Sequence, residues 1–125
     1  MNNQTNPVGW FEIPVNNLPR AKSFYEQVLG VTLEDNRMGN QEMAWFPMQQ
    51  AGYGAAGGLI KSAKHEPSKR GTLVYLSVDD IDATLIRVET HGGEMLMPKT
   101  SIGKRSYIAH FADCEGNRVA LHSQE

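Results

Sequence analysis

Glu12, Tyr75 and His122 bring a carboxylate, a phenol and an imidazole to strand-like stretches of this 125-residue chain. Residues two apart on a strand share a face, so Glu12 points with Trp10, Tyr75 with Leu73 and His122 with Ala120. If those faces line one concavity, the carboxylate can orient the imidazole as a general base, or both can hold a hydroxylated or amine-bearing ligand. Glu12, Tyr75 and His122 are therefore the candidate catalytic residues. Trp10, Trp45, Leu73 and Ala120 join them in the expected ligand-binding surface. The competing reading is structural: Glu12 and His122 satisfy each other or a backbone group, as buried polar groups normally do whatever their function. For Trp10, Trp45 and Phe46 the alternative to a flat wall for a planar ligand is packing in the core or a dimer interface.

The remaining candidates carry weaker signals. His110 is a conceivable third donor beside Glu12 and His122, but the face it occupies depends on where its strand begins. His91 falls at a helix end and His65 in a charged connector, and both read as exposed. Cys114 sits in a turn with no neighbouring His or helix start to activate it. Pro98 to Ser106, with Lys99, Lys104 and Arg105, reads as a loop long enough to cover a cup and draw in an anion, or simply as a solvated loop.

The elements that must position these residues come in two copies. Val15-Asn16-Asn17-Leu18 opens a helical stretch ending at Gly30, and Val78-Asp79-Asp80-Ile81 opens another ending at Gly93; the offset is constant (78 − 15 = 93 − 30 = 63). A period of half the chain, with a strand before each helix and strands after it, predicts two βαβββ modules. Module one spans about 7–61, the connector 62–71 and module two about 72–124, within one domain covering 1–125. Strands are predicted at Gly9 to Val15, Thr32 to Glu34, Glu42 to Met48 and Ala55 to Lys61. In the second module they fall at Thr72 to Val78, Glu94 to Met97, Tyr107 to Phe111 and Arg118 to His122. Asn17 and Asp80 are the helix N-caps. The fold class is α+β with a curved, mixed sheet, and function is expected between the two copies.

A formal charge of −2 and 21% charged residues give no basic footprint, so a nucleic-acid partner is not expected. The first seven residues lack the basic and apolar regions of a signal peptide, and no apolar run approaches the ~20 residues needed to span a bilayer. With one cysteine suited to a reducing compartment, the expectation is a cytoplasmic protein without membrane contact.

Three segments resemble the vicinal oxygen chelate superfamily, the glyoxalase, bleomycin-resistance and extradiol-dioxygenase group. They are Ile13 to Gly30 with its Arg20-Ala21 and Phe24-Tyr25 pairs and Leu29-Gly30 end, Leu76 to Ile81, and Phe111 to Leu121 with its Asp113-x-x-Gly116 turn. The resemblance implies paired βαβββ modules in a cup-shaped half-open barrel, commonly completed in a homodimer. It also implies that members with metal chemistry place His or Glu on the first strand of each module and a carboxylate on the last. Those positions carry Trp10, Leu73 and Ala120 in this chain, and the fourth falls near Gly58. Two alkyl groups, an indole and a glycine offer no donor to a divalent cation, so no metal ligand and no cofactor is assigned.

The expected function is binding of a small organic molecule in the cup by a homodimer that has lost the usual metal site. One alternative is a metal-dependent glyoxalase-like lyase or dioxygenase with ligands relocated to Glu12 and His122. Another is a protein-interaction module whose cup is closed by side chains.

Overall fold

A computed structural model describes residues 6–52 and 54–124, with Met38 described by its backbone alone; residues 1–5, read above for leader character, lie outside it. Module one runs β1 (Phe11–Pro14), α1 (Leu18–Leu29), β2 (Glu34–Met38), β3 (Gln41–Trp45) and β4 (Gly57–Lys61). Module two runs β5 (Tyr75–Ser77), α2 (Ile81–Thr90), β6 (Glu94–Gly103), β7 (Ser106–Ala112) and β8 (Arg118–Ser123). Each module folds into a four-stranded sheet, ordered β1-β4-β3-β2 and β5-β8-β7-β6. The first strand pairs parallel with the last, and the other pairs are antiparallel. The two modules share one topology, as the sequence period predicts.

Both helices begin on a side-chain cap. Asn17 Oδ1 accepts from Arg20 N–H at 3.0 Å and Asp80 Oδ1 from Ala83 N–H at 3.0 Å, each satisfying a donor that the first turn leaves free. Gly30, at φ 67°, ends α1 in the left-handed conformation that only glycine adopts at little cost. The buried stripe Ala21, Phe24, Tyr25 and Val28 of α1 and the stripe Ile81, Leu85 and Val88 of α2 enter one core. Ile13, Ala44 and Leu59 join it from the first sheet, and Ala109, Phe111, Val119 and Leu121 from the second. Each sheet gives its helix-side face to this core; on the opposite face, called open below, Glu12 and Tyr75 are exposed while Met43, Ile60 and Ala120 are buried.

A polar clamp fastens the modules together. The Asp113 carboxylate accepts from Tyr25 Oη–H at 2.7 Å, from the backbone N–H of Glu115 and Asn117 at 2.9 Å each, and from Asn117 Nδ2 at 3.1 Å. Asn117 Nδ2 also donates to the Pro14 carbonyl at 2.7 Å, and its Oδ1 accepts from Ser68 N–H at 2.9 Å. Glu115 takes the Arg20 guanidinium and the Asn16 and Asn17 N–H groups. Burial first, then the charge of Asp113, pushes the Tyr25 phenol well above its usual pKa, so it stays a donor. The resemblance-bearing Phe24-Tyr25 pair and Asp113-to-Asn117 turn are thus two sides of one joint.

Several expected boundaries change. Pro98 to Ser106 is no loop: β6 continues to Gly103, and Lys104 and Arg105 make a tight turn into β7. Both turn residues have positive φ (52° and 59°), a conformation normally signalled by Asn or Gly. Pro98 is tolerated because β6 is an edge strand, and the ladder shifts register on either side of it. Lys99 lies 4.7 Å from the centre of the Tyr107 ring. β5 is shorter than the predicted Thr72 to Val78, so Leu73 precedes it, although Val74 still accepts a bond from Ala120 N–H at 2.9 Å. The second strand lies later than predicted, at Glu34–Met38, where exposed polar residues pair with β3 across a turn at Gly39 and Asn40. No described helix is long and apolar enough to cross a membrane.

Candidate functional site on the open sheet faces

Strand register sets the site residues in equivalent rows. In the first sheet Trp45, Gly58 and Glu12 are successive cross-strand partners; in the second, His110, Ala120 and Tyr75 are. Glu12 is therefore the counterpart of Tyr75, again at an offset of 63 (75 − 12), and Gly58 the counterpart of Ala120. By this register Gly58 is the residue that corresponds to Ala120, in the neighbourhood where the resemblance puts its fourth ligand position. Ala109 and Phe111 enter the core, so alternation puts His110 on the open face, resolving the orientation that sequence left open.

On the first sheet the rings of Trp10 and Trp45 meet edge to face with centroids 5.4 Å apart. Trp10 Nε1–H donates to Glu12 at 3.3 Å. Trp45 Nε1 is buried and has no acceptor among the described residues. His65, expected to be exposed, instead lies half-buried with Nε2 3.9 Å from Glu12 Oε1, and its Nδ1 is 2.5 Å from Ser62 Oγ. The connector reaches this position through a turn in which His65 N–H bonds the Ser62 carbonyl at 3.2 Å. Sequence reading missed His65 because its neighbours are charged and exposed; the Ser62-x-x-His65 spacing of that turn was the available signal.

On the second sheet Arg118 Nη1 donates to His110 Nδ1 at 2.9 Å, and the Tyr75 ring stands edge-on to the imidazole at 6.1 Å. Burial, then the neighbouring guanidinium, lowers the His110 pKa, favouring a neutral ring whose Nδ1 accepts and whose Nε2–H remains a donor. His122, paired with Ser77, borders a groove of about 470 Å³ with Val78 and Asp79. Tyr75 keeps 48% of its surface exposed.

The structure groups the candidates by sheet. Trp10, Glu12 and Trp45 come together, as do Tyr75 and Ala120, with His122 one pleat along. No ion pair joins Glu12 to His122 among the described residues, and no strand of one sheet comes within 8 Å (Cα to Cα) of a strand of the other. Leu73 lies just before β5 and is half-buried. Cys114 is inert by environment: burial, then the charges of Asp113 and Glu115, pushes its pKa to about 11.

A divalent cation does not fit the family positions. Trp10, Leu73 and Ala120 bring no oxygen, nitrogen or sulfur ligand. At Gly58 a Cβ would stand 2.9 Å from both Trp45 Cδ1 and the Ala44 carbonyl oxygen, so even the first atom of a carboxylate side chain lacks room. Among the described residues no three His, Cys, Asp or Glu side chains gather as a metal centre needs.

Comparison with known proteins gives the chain its relatives. The family model of the glyoxalase/bleomycin resistance protein/dioxygenase superfamily matches residues 8–121. A glyoxylase-like domain-containing protein of Didymella fabae is 29% identical over 118 residues, 91% of each chain. Among solved structures, a V278E mutant of glyoxalase I from Zea mays superposes with a TM-score of 0.72 at 20% identity, covering 94% of this chain and 46% of that one. A glyoxylase/bleomycin resistance protein/dioxygenase domain from Frankia sp. EAN1pec gives 0.72 at 15% identity, covering 96% and 98%. The chain spans less than half the length of the maize enzyme, and likewise only 43% of the Mycobacterium tuberculosis relative it matches. At these identities the structural likenesses establish the fold, while the family match over nearly all residues establishes descent: the chain belongs to the glyoxalase/bleomycin resistance protein/dioxygenase superfamily.

Proposed function

We propose that this chain binds a small organic molecule against its open sheet faces, in a cup completed by a second copy and without the divalent metal used by members of its superfamily. What supports this reading is that Trp10, Gly58, Leu73 and Ala120 stand where the resemblance puts metal ligands, with the space beside Gly58 taken by Trp45 and the Ala44 carbonyl. The neighbouring surface is nevertheless furnished with Glu12, Trp10 and Trp45 on one sheet and Tyr75, His110 and His122 on the other. These residues would contact the ligand. A metal bound by relocated ligands would need Glu12 and His122 to converge, whereas the imidazole beside Glu12 is that of His65.

A second copy is invoked because one chain does not bring its open faces together. β1 and β5 each pair on one side only, leaving backbone edges that a partner can cover. A twofold dimer would set the first sheet of each copy opposite the second sheet of the other, giving two equivalent cups. Homodimerisation and a cytoplasmic location remain part of this proposal.

A thermal-shift screen of small organic compounds, run with chelator and again with added zinc, nickel, manganese or iron, tests the reading. Compounds that raise the midpoint equally in both conditions are expected. Stoichiometric metal retained through dialysis, and lost on Glu12→Gln, would overturn it in favour of a relocated metal site; no shift with any compound would count for a closed cup.

A further inference from the structure

The open face of the first sheet is more selective than a plain apolar wall. Trp45, Gly58 and Glu12 form one row across β3, β4 and β1, and the missing side chain at Gly58 lets the Trp45 indole lie across the row. Trp10 closes one side, its ring at 76° to that of Trp45. Two steeply inclined indoles thus stand beside a carboxylate, with Trp10 37% exposed and the Glu12 side chain 34% exposed. Trp45 contributes a further feature: a buried Nε1–H with no acceptor among the described residues.

We propose that this corner recognises a small organic ammonium ion, which deepens the small-molecule reading above and rests on it. A positive alkylammonium needs no lone-pair donors, unlike a metal ion. It is held by the negative faces of aromatic rings, tryptophan most strongly, and by a nearby carboxylate. A neutral ligand covering the same rings would strip water from Glu12 without compensating its charge, which is unfavourable. An anion would meet the carboxylate directly. Trp10 Nε1–H donates to one carboxylate oxygen, and the His65 ring, placed by its Nδ1 contact with Ser62 Oγ, stands 3.9 Å from the other.

Both tryptophans of the chain stand in this corner, so tryptophan emission, excited at the red edge where tyrosine does not absorb, reports on it alone. Choline chloride titrated into the full chain with chelator, at constant ionic strength, is expected to change the emission saturably. Its uncharged isostere 3,3-dimethylbutan-1-ol should bind at least about tenfold more weakly, while tetramethylammonium, which keeps the charge, should bind within a few-fold of choline. Glu12→Gln should weaken choline about tenfold while leaving the isostere unchanged, with melting temperatures confirming that the variant is folded. Equal affinity for choline and the isostere, or no effect of Glu12→Gln, would overturn the cation assignment. So would an unmoved emission in a protein that does bind some compound in the metal-free screen, and in that case the small-molecule reading would survive. Failure of choline together with an empty screen would remove both.

Discussion

The joint between the modules and the sheet face turned away from the helices treat polar groups in opposite ways. In the turn between β7 and β8, Asp113 is 4% exposed and accepts four hydrogen bonds, and Asn117 at 5% ties both modules and the connector. On the open side, Glu12 has the Trp10 donor and a more distant imidazole, while Trp45 Nε1 has no acceptor among the described residues. Polar groups whose bonds are all made hold the fold; groups left exposed or unpaired are available to something else. The difference separates stability from function, and substitutions in the two regions should separate likewise.

The largest effect is expected from Asp113→Ala. It strands the Tyr25 hydroxyl, the Asn117 amide and two backbone N–H groups in the joint, and should cost at least about 3 kcal/mol in urea unfolding. A loss below 1 kcal/mol would show that the joint is not where the modules are fastened. Gly58→Ala comes next: its Cβ would press on Trp45 and on the Ala44 carbonyl, destabilising by about 1–3 kcal/mol. Retained stability with shifted tryptophan emission would mean that the indole moves aside easily, weakening the argument against a ligand at that position.

Acid should reveal the clamp's smaller electrostatic contribution. Burial alone would raise the Glu115 pKa, but hydrogen bonds from Asn16 N–H, Arg20 and Asn17 N–H outweigh it and hold the carboxyl below its usual 4.5. A depressed folded-state pKa means stability present above 4.5 and lost as pH falls through the folded value, since the unfolded chain binds the proton first. Glu115→Gln should therefore flatten stability against pH below 4.5, and an unchanged acid limb would refute that assignment. The smallest effects belong to the open faces: Glu12→Gln and Tyr75→Phe should each shift stability by no more than about 0.5 kcal/mol. A loss of several times that would return these residues to a structural role.

The architecture was legible because it was stated twice and because its stops are chemical: Asn17 and Asp80 as caps and Gly30 as the left-handed end. Strand parity likewise placed Glu12, Tyr75 and His122 on the faces turned from the core, whereas Trp10, read as part of the first strand, falls just before β1. What escaped depended on tertiary support. The arm through Pro98 and Ile102 reads as loop because proline and broken register obscure its alternation, yet pairing with β7 holds it extended. Lys104 and Arg105 adopt a turn for which their types give no signal. The grouping of site residues by sheet was hidden for a different reason: parity says which face a side chain takes, not which faces meet. The same limit concealed His65, brought to Glu12 by the path of the connector.

How the open faces meet is tested most directly by mass in solution. Light scattering of the full chain at tens of micromolar, with chelator present, should give twice the 13.9 kDa chain mass. Placing a charge on either face, by Trp10→Arg or Tyr75→Arg, should yield folded monomers with helical content unchanged by circular dichroism. A wild-type monomer, or a dimer indifferent to both substitutions, would contradict a cup completed by a second copy.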